Sequence, residues 1–302
     1  MVAGVLGVSK QPVSSNHEIW TVKKILDWAS SSLAKRGFAT SRLDCELLLA
    51  EVLGLSRLDL YVSFDRPLSA EEKESFKAFY VRRRDGEPVA YILGKREFYK
   101  HSFAVTPSVL IPRPETEILV EHALTVLNEL ESGKVLDIGT GSGCIALSIA
   151  AEVPSCNVEA WDISEKALEV ASLNQERLEI TNLNLKCVDA LKESSWKGLG
   201  EKFDLIVSNP PYIGSHETDD MAEETLHFEP KEGLFCGGDG YSFYHVFALL
   251  GRHALKENGM IFMEIGFSQA EKVKSLFENS GWREVTVHQD YSGLDRIVAA
   301  KK

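Results

Sequence analysis

At 302 residues and 44% hydrophobic content, the chain can fill one large core or two ordinary ones. Its 33 Lys and Arg stand against 45 Asp and Glu, a net charge of -12, which excludes a global attraction to phosphate backbones and disfavours nucleic acid as a partner. Five scattered cysteines (Cys45, Cys144, Cys156, Cys187 and Cys236) without a CxxC pair, and eight histidines without an HExxH cluster, point to a reducing compartment and no structural metal.

The opening stretch MVAGVLGVSKQPVSS has no basic start and no cleavage pattern, so neither a secretory signal nor a transit peptide is expected. No stretch approaches the roughly 18 to 20 apolar residues that span a bilayer. The expected compartment is the cytoplasm, with no membrane partner, and a monomer is the default. Residues 16–86 read as an all-helical N-terminal domain, with substrate docking as its expected role. Its first helix opens on a capping box of Ser15 with Glu18, carries Ile19, Val22, Ile25, Leu26 and Ala29 at helical spacing, and stops at Gly37. A second helix, SRLDCELLLAEVLG, ends near Gly54. A third opens at Ser69, with Glu72 three residues on, and runs through Phe76, Phe79 and Tyr80 into Arg82, Arg83 and Arg84, which read as a solvated helix end. Residues 87–113, rich in aromatics and prolines, read as a hairpin linker.

From residue 114 to 302 helices alternate with short apolar strands: KVLDI, NVEAWD, NLKCVD, FDLIVS and GMIFMEIG, then REVTVHQ and DRIVAAKK too close together for a crossover helix. This predicts an α/β fold with a mostly parallel, doubly wound, seven-stranded sheet that ends in an antiparallel hairpin.

VLDIGTGSGCIALSIA is strand, glycine loop, helix, and the glycines let a ligand approach the backbone at the helix N-terminus. A dinucleotide fingerprint asks for G-x-G-x-x-G, yet its last position is Cys144. The G-x-G-x-G spacing behind Asp137 resembles S-adenosylmethionine sites instead. Asp162 closes the second strand, 23 residues after Gly139, where it can accept from both hydroxyls of a ribose. Asp189 closes the third, placed to accept from an adenine amino group. Either aspartate alone reads equally well as a helix N-cap.

DLIVSNPPY raises a different chemistry. Pro210 and Pro211 fix two φ angles and donate no backbone hydrogen bond, so the turn is stiff, poor in donors and rich in carbonyls. With the Asn209 side-chain oxygen and the Pro210 carbonyl as acceptors and Tyr212 as an aromatic wall, it is a pocket for a planar NH2 group. Such a grip suits N-methylation, because an amide or aromatic amine is a weak nucleophile that must be aimed.

NPPY together with LDIGTGSGCIALSIA resembles the amino-methyltransferases of the class I fold. LIPRPETEILVE, EPVAYILGKREF, HFEPKEGLFCGGDGYSFY, DYSGLDRIVAAKK and the N-terminal SRLDCELLLAEVLG are similar to the PrmC/HemK family of protein-glutamine N-methyltransferases. That resemblance implies the class I S-adenosylmethionine-dependent methyltransferase fold, Rossmann-like, plus a small helical domain. It implies S-adenosylmethionine as cofactor, bound by Gly139, Thr140, Gly141, Ser142, Gly143 and Asp162, with Asp189, Ala190 and Asn209 alongside. Some relatives carry an aromatic where this chain has Ala190. It further implies Asn209, Pro210, Pro211 and Tyr212 around a substrate glutamine, that of the Gly-Gly-Gln loop in class I peptide chain release factors. A ribosomal-protein glutamine and, further off, a nucleic-acid adenine are the competing substrates. Arg113, Glu115 and Glu117 carry no role at this stage.

Overall fold

A computed structural model describes residues 19–130, 132–200, 202–214 and 221–302. The Ser15 and Glu18 capping box lies outside them. The described chain divides into two compact units, one ending at Asp85 and one running from Gly86 to Lys302.

The first unit holds α1 (Val22–Ala34), α2 (Ser41–Leu53), α3 (Arg57–Val62) and α4 (Ala70–Arg84). α1 starts later than its spacing suggested. Thr21 caps it by accepting from the Lys24 amide, and Ile19 stays exposed outside it. Gly54, at φ 62, ends α2 in the left-handed conformation that suits glycine. Ser69 and Glu72 form the expected capping box of α4, and a second box, Ser56 with Asp59, starts the short α3 that the sequence pattern did not disclose. The basic run departs from expectation: Arg83 is buried, with Nε 2.7 Å from Asp44 Oδ2 and its guanidinium 4.4 Å from the Phe38 ring centroid. Its position follows Phe76 and Tyr80 on one helical face, so periodicity turns it inward while Arg82 stays exposed.

The second unit begins with α5 (Val89–Leu93) and an antiparallel hairpin of β1 (Lys95–Phe98) and β2 (His101–Ala104). A single 3-10 turn (Pro114–Thr116) leads into α6 (Glu117–Leu127). There follow β3 (Lys134–Ile138), α7 (Cys144–Glu152), β4 (Asn157–Asp162), α8 (Glu165–Arg177), β5 (Leu183–Cys187) and β6 (Phe203–Ser208). Two short helices, α9 (Glu223–Phe228) and α10 (Lys231–Leu234), precede α11 (Ser242–Ala254), β7 (Leu255–Glu264), α12 (Ala270–Asn279), β8 (Arg283–Gln289) and β9 (Asp295–Lys301). The sheet has seven strands in the order β5-β4-β3-β6-β7-β9-β8, parallel from β5 through β7, with β9 antiparallel to β7 and to β8. This is the predicted α/β architecture.

Both faces of the sheet are covered, which is why its central strands read as nearly unbroken apolar runs. Val135, Leu205 and Val207 pack with α6 and α7 on one side, whereas Leu136, Ile138 and Ile206 pack with α11 and α12 on the other. Phe98 and Phe103 of the hairpin are buried in the α6 and α7 core. No helix among the described residues is long and apolar enough to cross a membrane.

One side chain ties the hairpin to the rest. Asn174 of α8, 1% exposed, accepts from the Ala104 amide at 2.6 Å and donates to the carbonyls of Ala104 at 3.0 Å and Ser142 at 2.9 Å. Asn174→Ala strands three buried backbone groups, so we expect it to destabilise the fold by about 2 to 4 kcal/mol. A shift of the denaturant midpoint checks this; an unmoved midpoint would mean that water satisfies those groups.

Candidate active site

The site is built where three parallel strands end. Ile138 of β3 pairs with Ser208 of β6, and the Ser208 hydroxyl donates to the Ile138 carbonyl at 2.7 Å. Gly139 and Asn209 therefore leave the sheet side by side. Ser208 also pairs with Met263 of β7, which brings Glu264 level with Asn209. From β3 the chain crosses toward β4, and from β6 toward β7 on the opposite side, so these strand ends frame the switch-point crevice where open α/β sheets bind ligands.

A cavity of about 500 Å³ opens there, lined by Gly139, Thr140, Gly141 and Ser142 together with Asp162, Asp189, Ala190, Asn209 and Pro211. Gly139 and Gly141 sit at φ 75 and 56, and a Cβ on either would meet nothing within 4 Å, so the turn exposes bare backbone to the cavity. Gly143 does not line it. A Cβ there would lie 2.9 Å from Leu147 Cδ1 and 3.3 Å from Ala171 Cβ, so this glycine serves the packing of α7 on α8.

Thr140 Oγ1 donates to Asp137 Oδ2 at 2.7 Å, and burial pushes the Asp137 carboxyl up to about 7. Asp162 Oδ2 accepts from the Gly141 amide at 2.9 Å, and its Oδ1 from the Ser164 amide at 2.9 Å; burial nevertheless raises its pKa. The cap of α8 is Ser164, which leaves Asp162 to the turn and the cavity. β5 ends at Cys187, so Asp189 stands two residues beyond the strand it was expected to close and accepts from the Leu191 amide at 3.0 Å. Ala190 is buried with Trp196, whose Nε1 donates to the Ala190 carbonyl at 3.0 Å. Apolar lining is contributed by Ile163, Val188, Leu191 and Phe243.

Asn209 Nδ2 donates to Thr116 Oγ1 at 3.1 Å, and Thr116 Oγ1 donates to Glu264 Oε2 at 2.6 Å. Thr116 belongs to the IPRPETE segment that the sequence left without a role. Pro210 and Tyr212 do not line the cavity. The Tyr212 carbonyl accepts from Gln269 Nε2 at 2.9 Å, and its ring packs toward the α11 and α12 core, where burial raises the phenol well above its ordinary value. The aromatic ring that the cavity lining does contain is Phe243 of α11. Sequence reasoning also missed a clasp over the cavity: buried Glu229 accepts from Arg113 Nη2 at 2.5 Å and from the Ile111 amide at 3.0 Å, joining the 108–113 lining to that of Pro230, Glu232 and Gly233. Glu117 accepts from the Tyr99 amide at 3.0 Å and so anchors the hairpin.

The two kinds of glycine separate by substitution. Gly143→Ala adds a steric clash to left-handed strain and should destabilise by about 3 kcal/mol or more, whereas Gly139→Ala carries only the strain, about 1 to 2 kcal/mol. Thermal unfolding of both variants gives the comparison, and equal losses would refute the packing role of Gly143.

Residues 24–94 match the PrmC N-terminal domain, and residues 114–248 match the methyltransferase small domain. The release factor glutamine methyltransferase of Geobacter sulfurreducens is 40% identical over 285 residues, covering 94% of this chain and 98% of its own. That of Chlorobaculum tepidum is 39% identical over 285 residues, covering 92% and 96%. Among solved structures, the release-factor-specific protein-(glutamine-N5) methyltransferase of Alicyclobacillus acidocaldarius is 34% identical with a TM-score of 0.40, covering 66% of this chain and 99% of that one. Similarity of this degree across nearly the whole length, through both matched domains in order, means that the chain belongs to the release factor glutamine methyltransferase family.

Proposed function

We propose that this protein transfers a methyl group from S-adenosylmethionine to the side-chain amide nitrogen of the glutamine in the Gly-Gly-Gln loop of class I peptide chain release factors. The observation that carries the reading is Asn209 at the mouth of β6, lining the same cavity as the Gly139 to Ser142 turn.

The cavity fits the cofactor on chemical grounds. Asp162, Asp189 and Glu232 line it against one lining cation, Arg113; Glu229 meets the charge of Arg113 and Lys192 that of Asp189, so Asp162 and Glu232 leave the lining favourable to a positively charged ligand. Ser142 Oγ is buried without a partner at the turn. The Gly141 amide, which a dinucleotide's pyrophosphate would need, is taken by Asp162. The turn would hold the amino-acid end, Asp162 the ribose hydroxyls, and Asp189 with Ala190 the adenine edge. Bound there, the cofactor supplies a methyl on a sulfonium that departs as a neutral thioether.

The chain's own residues aim the nitrogen. Asn209 Oδ1 accepts from the glutamine NH2, whose lone pair is delocalised into its own carbonyl, and the Pro210 carbonyl, beside the cavity rather than in its lining, would take the second proton. Holding both protons draws density toward the nitrogen and orients it for attack. Neither Pro210 nor Pro211 offers an N–H that would compete for the amide. The nitrogen gains a methyl and releases one proton, which becomes acidic only as the new bond forms, so no strong base is required. For the helical unit we propose substrate docking, supported by its exposed Trp28, Leu58, Tyr61 and Val62.

The test is a methyl-transfer assay offering release factor, ribosomal protein and DNA in parallel. We expect label in the release factor alone, lost when the Gly-Gly-Gln glutamine is replaced. Asn209→Ala should lower kcat on the order of 10²-fold while leaving cofactor affinity nearly intact. Label in the ribosomal protein or in DNA instead would overturn the assignment, and a wild-type rate from Asn209→Ala would overturn the mechanism.

A further inference from the structure

Asn209 accepts a proton from a substrate NH2 only if its oxygen, and not its nitrogen, faces the cavity. The two ends of a carboxamide have nearly the same shape, so packing alone does not choose between them. A threonine hydroxyl has one proton to give and two lone pairs to receive. Thr116 gives its proton to Glu264 Oε2 at 2.6 Å, so toward Asn209 it acts only as an acceptor, and the nitrogen end of the amide lies 3.1 Å away. An ionised Glu264 has no proton to offer, so the direction of both bonds is set from the carboxylate outward. We infer that Thr116 and Glu264 are positioning residues for amide methylation, acting through Asn209 by fixing which end of its side chain meets the substrate. The inference rests on the proposed methyl transfer and adds to it the device that orients the acceptor.

The surroundings of Glu264 make this device sensitive to protonation. Its carboxyl feels Arg296 of β9, Arg113 and Glu115 of the segment before α6, the Tyr212 phenol of the loop after β6 and the Cys144 thiol at the start of α7. The Tyr244 hydroxyl of α11 donates to the Glu264 backbone carbonyl at 3.1 Å. Burial outweighs the Thr116 bond and the two arginines and pushes the carboxyl up to about 7. Once protonated, Glu264 can donate to Thr116 Oγ1, which then donates to Asn209 Oδ1 and turns the amide nitrogen toward the substrate. The carboxylate is therefore the productive form, and kcat rises with pH through the Glu264 titration. Glu264→Gln imitates the protonated form, because its amide can donate to Thr116.

The experiment compares wild type with Thr116→Val, Thr116→Ser and Glu264→Gln in steady-state methylation of the release factor, in S-adenosylhomocysteine affinity, and in the side-chain amide proton–nitrogen resonance of Asn209, identified by its loss in Asn209→Asp. Thr116→Val and Glu264→Gln should lower kcat on the order of 10- to 100-fold with little change in S-adenosylhomocysteine affinity. Thr116→Ser, which keeps the hydroxyl, should recover most of the loss. The rise of kcat with pH should vanish in Glu264→Gln. In wild type the Asn209 resonance should titrate with a midpoint of about 7, and it should shift in Thr116→Val and Glu264→Gln.

A merely structural role gives the opposite stability result. A folded-state value of about 7 above the ordinary 4.5 means the native protein binds more protons than the unfolded chain between those limits, so wild-type stability falls as pH rises through that window. Glu264→Gln does not share this fall and should be at least as stable as wild type in mildly alkaline buffer. An Asn209 resonance that neither titrates nor moves, or wild-type kcat in Thr116→Val and Glu264→Gln, overturns the inference. A wild type that leaves the release factor unmethylated while the resonance responds as expected sinks the functional proposal and upholds the hydrogen-bond polarity.

Discussion

The pairing register of β3, β6 and β7 is the constraint on which the site depends. Ile138, Ser208 and Met263 sit at one level across the three strands, and the Ser208 hydroxyl on the Ile138 carbonyl locks the first pair just before the chain leaves the sheet. A slip of one residue would move the side chains of a whole strand to the other face. Leu205, Ile206 and Val207, buried alternately in two different cores, make such a slip prohibitive. The apolar packing of the sheet thus fixes where Gly139, Asn209 and Glu264 emerge, although none of the three contributes to that packing.

The same strand ends collect carboxyl groups that an ordinary core would exclude. Asp137 and Glu264 are buried, and desolvation raises both to about 7, so each is poorly compensated by the protein alone. Glu229 is buried too, but Arg113 and the Ile111 amide hold it. The contrast separates two uses of burial. Glu229 ties two loops together and needs a full set of partners, whereas Asp137 Oδ1 lacks a partner beside the glycine turn. Asp137 does not reach the cavity lining, so its incompletely satisfied carboxylate is a cost carried behind the glycine turn, a departure from the rules of the core of the kind that functional sites show.

The fold was legible because its signals are periodic. Alternation of strands and helices, the closely spaced closing strands and the glycine stop at Gly54 all have local causes. The placement of the glycine turn, Asp162 and Asn209 around the crevice was legible as well, since each occupies a strand end that topology carries there. What was not legible depends on contacts distant in sequence. Arg83 looked like a helix-end cation, and only its partner Asp44 in α2 makes it a buried one. Gly143 looked like a ligand glycine, whereas Leu147 and Ala171 crowd the space a side chain there would need. Tyr212 looked like a wall, and a hydrogen bond from Gln269 to its carbonyl aims its ring elsewhere. Thr116 and Glu264 are separated from Asn209 by long stretches of chain; the one available hint was a glutamate set in the apolar run MIFMEIG.

In the proposed amide methylation, the NPPY turn and the Thr116 and Glu264 pair solve one chemical problem at two positions. A weakly nucleophilic amide nitrogen is aimed by accepting its protons, and any donor in the notch would compete for the same acceptors or seize the substrate carbonyl and rotate the nitrogen away. At Pro210 and Pro211 the backbone donors are removed covalently, which needs no further control. At Asn209 a donor cannot be removed, because the side chain that carries the acceptor carries an NH2 on the same carbon. That donor has to be occupied, and a hydroxyl would occupy it in either sense unless its own proton were already committed. A buried carboxylate commits it. Burial, which makes Glu264 costly to ionise, also withholds the water that would otherwise offer the Thr116 hydroxyl another acceptor, so the same desolvation that raises its pKa makes its control of the amide effective.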